Sequence, residues 1–123
     1  MVAELTAEEK AKNVVKWANA LWSEKYKQGA GRLGDEDGYC CLGVGCMVTK
    51  TPFRSDQGCS IGFQKRAGLM DTIGTLQNRV SLIQLNDERG YSFPKIADHI
   101  WKNKAELFVP EVAKALNQYE TVG

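Results

Sequence analysis

The sequence YCCLGVGCMV, residues 39–48, is the most apolar stretch of the chain and decides how the rest can be arranged around it. A strand would place alternate residues on one face, namely Cys40, Leu42, Val44, Cys46 and Val48. A helix would instead group Cys40, Val44, Met47 and Val48. Gly43 and Gly45 weaken either structure by about 0.5–1 kcal/mol each relative to alanine, and they favour close packing against another element. Periodicity alone leaves both structures open.

The N-terminal segment carries a clear helix signal. Thr6 followed by Glu9 is typical of a capping box, in which each side chain satisfies a free backbone N–H of the other residue. An apolar stripe with helical spacing follows, at Val14, Trp17, Ala18 and Leu21. We therefore predict a helix from about Ala7 to about Lys25.

The segment QGAGRLGDEDG, residues 28–38, connects this helix to the apolar stretch and predicts a loop or a tight hairpin with its tip at residues 35–38. Residues 29–34 match the letters of the dinucleotide fingerprint G-x-G-x-x-G. That motif requires a buried strand before it and a helix after it. Here a polar segment precedes it and three acidic residues follow, so we interpret it as a glycine-rich turn.

The second half of the chain predicts an irregular region and then further helices. Residues 49–75 are rich in glycine and polar residues, with one short strand expected near residues 60–63. A short helix in RVSLIQLND, residues 79–87, should end near Asn86. Ser92 suits the N-cap of the next helix, and Pro110 suits the first position of the last one.

These elements predict a compact single domain over residues 1–123, of the α+β class and mainly helical, with about four short helices and a small β-hairpin. The expected core is Trp17, Leu21, Leu42, Val44, Phe93, Ile96, Ile100, Val112 and Leu116.

Charge and composition limit the classes of function. Lys and Arg total 16 and Asp and Glu total 15, so the formal net charge of +1 argues against binding nucleic acid through its phosphates. The N-terminus lacks a secretory pattern and no apolar run approaches about 20 residues, which predicts a cytoplasmic protein without membrane contact. Locally, a basic patch at residues 25–32 adjoins an acidic turn at residues 35–37.

The four cysteines do not form a metal-binding pattern. Their spacing, C-C-x4-C-x12-C, lacks the paired ligands of structural zinc sites, and the single histidine, His99, is distant in sequence. We interpret the cysteines as buried thiols and expect neither a metal nor another cofactor.

Three blocks together resemble a group of small uncharacterised proteins encoded mostly by tailed bacteriophages and prophages. The blocks are WANALWSEKYKQGAGRL (17–33), YCCLGVGCMV (39–48) and LNDERGYSFPKIADHIW (85–101). The matching positions are Trp17, Tyr26, Gln28, Gly31, Leu33, Tyr39, Cys40, Cys41, Leu42, Gly43, Val44, Leu85, Asn86, Asp87, Gly90, Ser92, Phe93, Ile96 and Ala97. The chain departs from the pattern at Gly45, where a larger apolar residue is usual. The resemblance implies a viral origin, a location in the host cytoplasm and a helical CCLGV segment, and it supplies no activity.

Three classes of function remain. The first is a non-catalytic accessory protein that binds a host protein, with residues 49–75 and the acidic turn at 35–37 as contact surfaces. The second is a protein that binds or sequesters a small anionic, nucleotide-like ligand in counter-defence. Aromatic faces for a base and cations for phosphate would come from the group Tyr26, Lys27, Gln28, Arg32 and Tyr39. The third is a cysteine-dependent enzyme, with a cysteine as nucleophile or redox group, which would need a lowered thiol pKa. We favour the first, with homo-oligomerisation left open.

Overall fold

Helix α1, Ala7–Trp22, lies at the centre of the molecule and packs against four other helices. The computed structural model of the chain describes residues 5–29, 34–35, 38–51, 61–70, 81–87 and 89–119. In these ranges α1 is followed by β1 (Gly34–Asp35), β2 (Gly38–Tyr39), α2 (Cys41–Val48), α3 (Ile61–Ala67), α4 (Leu82–Asp87), α5 (Phe93–Lys102), α6 (Lys104–Leu107) and α7 (Pro110–Leu116). The mainly helical α+β class is confirmed, and the described ranges contain seven helical segments where about four were predicted.

The start of α1 is the predicted capping box. Thr6 N donates to Glu9 Oε1 and Glu9 N donates to Thr6 Oγ1, both at 3.1 Å. The helix ends at Trp22, three residues earlier than predicted, because the chain turns at Glu24 with a φ of 54°. The positions predicted for the core in this helix, Trp17 and Leu21, are fully buried.

Helix α2 resolves the ambiguity of the apolar stretch in favour of the helix. Cys40 is its N-cap, and the Cys40 Sγ accepts a hydrogen bond from Gly43 N at 3.4 Å. The indole Nε1 of Trp17 donates to Cys41 O at 2.7 Å, which joins α1 to the first turn of α2. Residues 41–46 are all buried, so α2 is a core helix.

Helix α3 lies where a short strand was expected, so that prediction is wrong. Phe63, inside the predicted strand, is a fully buried residue of α3. Its ring meets Trp17 edge-to-face, with 5.0 Å between the ring centroids. A Cβ on Gly45 would clash with the Phe63 ring, so the missing side chain of Gly45 makes room for α3 against α2.

The hairpin is confirmed at its predicted place. Strands β1 and β2 are antiparallel, with Gly34 opposite Tyr39 and Asp35 opposite Gly38. The other edge of β2 contacts the chain just after α1, where Gly29 N donates to Tyr39 O at 2.7 Å. Gly38, with a φ of 144°, is close enough to this segment that a Cβ would lie 2.9 Å from Gly29 N. A side chain at this position would therefore separate the two segments.

The C-terminal helices close the core around α1. The predicted short helix is α4, and Pro110 begins α7 as predicted. Ser92 occupies the N-cap position of α5 with extended backbone, although its side chain makes no capping hydrogen bond. All nine residues predicted for the core are at most 1% exposed. The core also contains large side chains outside the predicted core set, namely Phe63, Leu82, Leu107 and Phe108.

Candidate binding groove

An open groove of about 860 Å³ lies where the C-terminal ends of α1 and α2 meet. We call it the lysine groove. Its lining comes from the last two turns of α1, the turn that follows them, and the end of α2. The residues are Lys16, Asn19, Ala20, Trp22, Ser23, Lys25, Tyr26, Met47, Val48 and Lys50.

The lining of the lysine groove combines positive charge with apolar surface. Lys16, Lys25 and Lys50 are exposed, and none of the described lining residues is acidic. Met47 keeps 37% of its surface exposed, whereas residues 41–46 of the same helix are buried. Lysines beside exposed apolar surface favour a ligand that carries both negative charge and a bulky apolar group.

The C-terminal ends of α1 and α2 have the same backbone conformation, and they position Lys25 and Lys50. After α1, Lys25 N donates to Ala20 O at 3.2 Å, and after α2, Thr51 N donates to Cys46 O at 2.8 Å. Each is the long-range bond of a Schellman motif, which requires a left-handed residue just before the donor. Those residues are Glu24 and Lys50, with φ values of 54° and 55°. Because the chain turns at these left-handed residues, Lys25 and Lys50 lie beside the groove instead of continuing along the axes of α1 and α2.

Trp22 forms part of the groove wall, and contacts with α5 hold its side chain in place. Its indole Nε1 donates to Asp98 Oδ1 at 2.8 Å, and its ring meets Trp101 edge-to-face at 6.1 Å. Asp98 lies on α5, where it lines a second and smaller cavity of about 240 Å³ together with Lys95, His99 and Lys102. Helix α5 therefore fixes one wall of the lysine groove through Asp98.

Of the five residues predicted for a small-ligand site, Tyr26 is a described lining residue of the lysine groove. Lys25 Nζ lies 5.7 Å from the Tyr26 ring centroid, and the Tyr26 ring meets half-buried Tyr39 edge-to-face, with 5.5 Å between the ring centroids. Lys27 is exposed, and its carbonyl accepts from Tyr39 N at 2.8 Å. Arg32 lies outside the described residues.

Gln28 faces a different part of the molecule from the groove. Its side-chain Nε2 donates to Asn86 Oδ1 at 3.0 Å and to Tyr91 O at 2.7 Å. Both amide hydrogens are therefore bonded to the protein itself. The arrangement indicates that Gln28 joins the chain after α1 to α4 and the start of α5.

Sequence reasoning missed four residues that shape the groove, namely Lys16, Trp22, Met47 and Lys50. Each has an ordinary local explanation, as a solvated lysine or as the edge of an apolar stripe. They become a site only because α1 packs against α2. No local signal marked Met47, because the helical grouping placed it on the shared apolar face, whereas its side chain is 37% exposed.

The three cysteines in the described ranges and His99 do not line the lysine groove. Cys40, Cys41 and Cys46 are at most 3% exposed, and Cys59 lies outside the described residues. His99 stacks on the Tyr91 ring at 5.4 Å, on the outer side of α5. Within the described ranges, no three His, Cys, Asp or Glu side chains are grouped to hold a metal ion.

In the same ranges, no helix has both the length and the apolar character needed to cross a membrane.

Comparison with known proteins adds one relationship. A family model described as a domain of unknown function (DUF8296) matches residues 8–60. The match covers α1 from Glu8 onward, the hairpin and α2, and therefore every described residue that lines the lysine groove. The chain matches no curated protein and no solved structure.

Proposed function

We propose that this protein is a non-catalytic binding module that engages a partner protein through the lysine groove. The observation that carries the proposal is the lining itself, in which Lys16, Lys25 and Lys50 surround Trp22 and Met47 without a described acidic residue among them. Positive charge of this kind steers an acidic partner toward the surface, and the apolar side chains supply contact area once it is bound.

The shape of the groove favours a protein partner over an enclosed small ligand. Pockets that hold small molecules bury most of the ligand surface. The lysine groove instead lies open between two helix ends, with the Met47 side chain presented at its edge. An aromatic residue and an exposed methionine are typical of the centre of a protein interface.

The second candidate is a nucleotide-like anion bound in the same groove. Tyr26 favours it, because its ring offers an aromatic face beside Lys25 Nζ, 5.7 Å from the ring centroid. A ligand of this class would be detected by thermal shift, since a concentration of 100 times the dissociation constant adds about 2.7 kcal/mol to the free energy of unfolding.

The biological setting of the proposal comes from the resemblance to phage and prophage proteins. Under that interpretation, the partner is a host protein and the complex forms in the host cytoplasm. The buried positions of Cys40, Cys41 and Cys46 support a binding role over a cysteine-dependent enzyme, because a nucleophilic thiol has to be reached by its substrate.

The test compares two double variants with the same change of charge. Lys16→Glu with Lys25→Glu alters the groove, whereas Lys65→Glu with Lys114→Glu alters exposed lysines on α3 and α7 that do not line it. Proteins captured from bacterial lysate are quantified by mass spectrometry, and each captured protein is then purified and titrated by calorimetry. We expect the groove variant to lose the partner and the control to keep it. Equal capture by both variants would refute the proposal.

A further inference from the structure

We infer that the lysine groove and the cavity on α5 form one continuous surface, and that its occupant is an extended acidic segment of a partner protein. The inference rests on the proposed function and makes it more specific. It names the class of partner and adds a second group of contact residues on a helix outside the groove.

The hydrogen bond between Trp22 and Asp98 links a lining residue of one cavity to a lining residue of the other. Trp22 lines the groove and Asp98 lines the cavity on α5, and the two side chains are bonded at 2.8 Å from Nε1 to Oδ1. The cavities measure about 860 Å³ and about 240 Å³. A ligand that crosses the edge of the Trp22 indole therefore passes directly from one cavity to the other.

Positive charge continues across this junction. The α5 cavity adds Lys95 and Lys102, both exposed, to the three lysines of the groove. Lys95 Nζ lies 4.0 Å from the centroid of the Tyr91 ring, which holds this lysine against the ring. Asp98 is the one carboxylate among the described lining residues, and its Oδ1 already accepts the Trp22 indole N–H.

The extent of the surface distinguishes an acidic segment from other anions. A mononucleotide fits within the lysine groove alone, because the groove volume of about 860 Å³ lies in the range of about 300–1,000 Å³ that is typical of small-molecule sites. An extended polypeptide advances about 3.3 Å per residue and presents alternate side chains to the surface. It can therefore place carboxylates on lysines of both cavities and an apolar side chain on Met47. The near-neutral net charge of +1 disfavours nucleic acid.

The experiment measures binding of a fluorescent peptide in which glutamates flank a central Trp-Leu pair. Glutamine replaces every glutamate in the control peptide. The protein variants are Lys25→Glu in the groove, Lys102→Glu in the α5 cavity, and Lys114→Glu as the control. Lys102 and Lys114 are both exposed lysines in the last turn of a helix, so their replacement has a similar effect on folding.

We expect Lys25→Glu and Lys102→Glu each to weaken binding of the acidic peptide about tenfold. The control variant Lys114→Glu should bind the acidic peptide as tightly as the wild type does. Loss with Lys25→Glu but not with Lys102→Glu overturns the continuous surface and leaves the proposed function intact. Absence of acidic-peptide binding, or equal binding of the glutamine peptide, overturns the acidic occupant, while the capture experiment still tests the proposed function independently. Tighter binding of ATP or of a single-stranded oligonucleotide would assign the surface to that ligand instead.

Discussion

The side-chain amide of Gln28 donates to Asn86 Oδ1 at 3.0 Å and so joins positions 58 residues apart in the chain. Asn86 in turn donates its Nδ2 to Gly29 O at 2.8 Å. Asn86 is only 3% exposed, so water has little access to its amide. One buried side chain therefore fixes the segment after α1 against α4.

Replacing Asn86 with alanine should lower the free energy of unfolding by about 2 kcal/mol, because it leaves the Gly29 carbonyl and one Gln28 amide hydrogen without these partners. Urea denaturation measures the change. Gln118→Ala, at an exposed position after α7, is the control and should change stability by at most about 0.5 kcal/mol. Equal stability of the two variants would show that the Asn86 amide does not stabilise the fold.

Replacing Gly45 with alanine should destabilise the protein by about 1–3 kcal/mol, although alanine favours a helix. The new Cβ would clash with the buried Phe63 ring, which also contacts Trp17 edge-to-face at 5.0 Å. Thermal unfolding, followed by circular dichroism, measures the loss.

A smaller residue at position 63 provides the control for the Gly45 variant. Phe63→Leu alone should be destabilising, because it removes the aromatic contact with Trp17. The double variant with Gly45→Ala should lose less stability than the sum of the two single-variant losses, since the ring that would clash with the new Cβ has been removed. Strict additivity would refute the contact as the cause.

Local signals explain why much of the fold could be predicted from the sequence. The capping box of Thr6 and Glu9 and the stripe that includes Trp17 lie within one helix, so short-range spacing is sufficient to find α1. The stripe of α5, from Phe93 to Ile100, is equally local. Helix α3 has no such signal around Phe63, because its place is defined by the space above Gly45, and that space exists only after α2 packs on α1.

The candidate site depends still more on packing between distant segments. Tyr26 was found because it lies in a basic, glycine-rich segment. Met47 and Lys50 belong to another helix end, and no spacing in the sequence relates them to Lys16. Gln28 shows the converse, since a polar residue near basic neighbours looks like a ligand group until Asn86 and Tyr91 are seen to accept its amide hydrogens.

Glycine at either left-handed helix end should stabilise the protein. Glu24 and Lys50 have φ values of 54° and 55°, a conformation that costs an ordinary L-residue about 1–2 kcal/mol. Part of that gain is offset by the greater freedom of glycine in the unfolded chain, so we expect Glu24→Gly and Lys50→Gly each to add about 0.5–1 kcal/mol. Chemical denaturation measures it. Ser23→Gly, at a φ of −83°, should give no gain, and a similar gain there would exclude backbone conformation as the reason.

The capping box makes stability depend on pH through Glu9. Hydrogen bonds from Thr6, first from its backbone N–H and then from its side chain, lower the pKa of the Glu9 carboxyl below its ordinary value of 4.5. A lowered folded-state pKa means that this contribution is complete above the unfolded pKa and is lost as pH falls through the folded pKa. The Tm difference between wild type and Glu9→Gln should therefore shrink as pH is lowered from 7 toward about 3. Glu8→Gln makes the same charge change one residue away, outside the reciprocal pair, and controls for net charge and the helix dipole. If both variants followed the same pH profile, the hydrogen bonds of Thr6 would not be the source of the dependence.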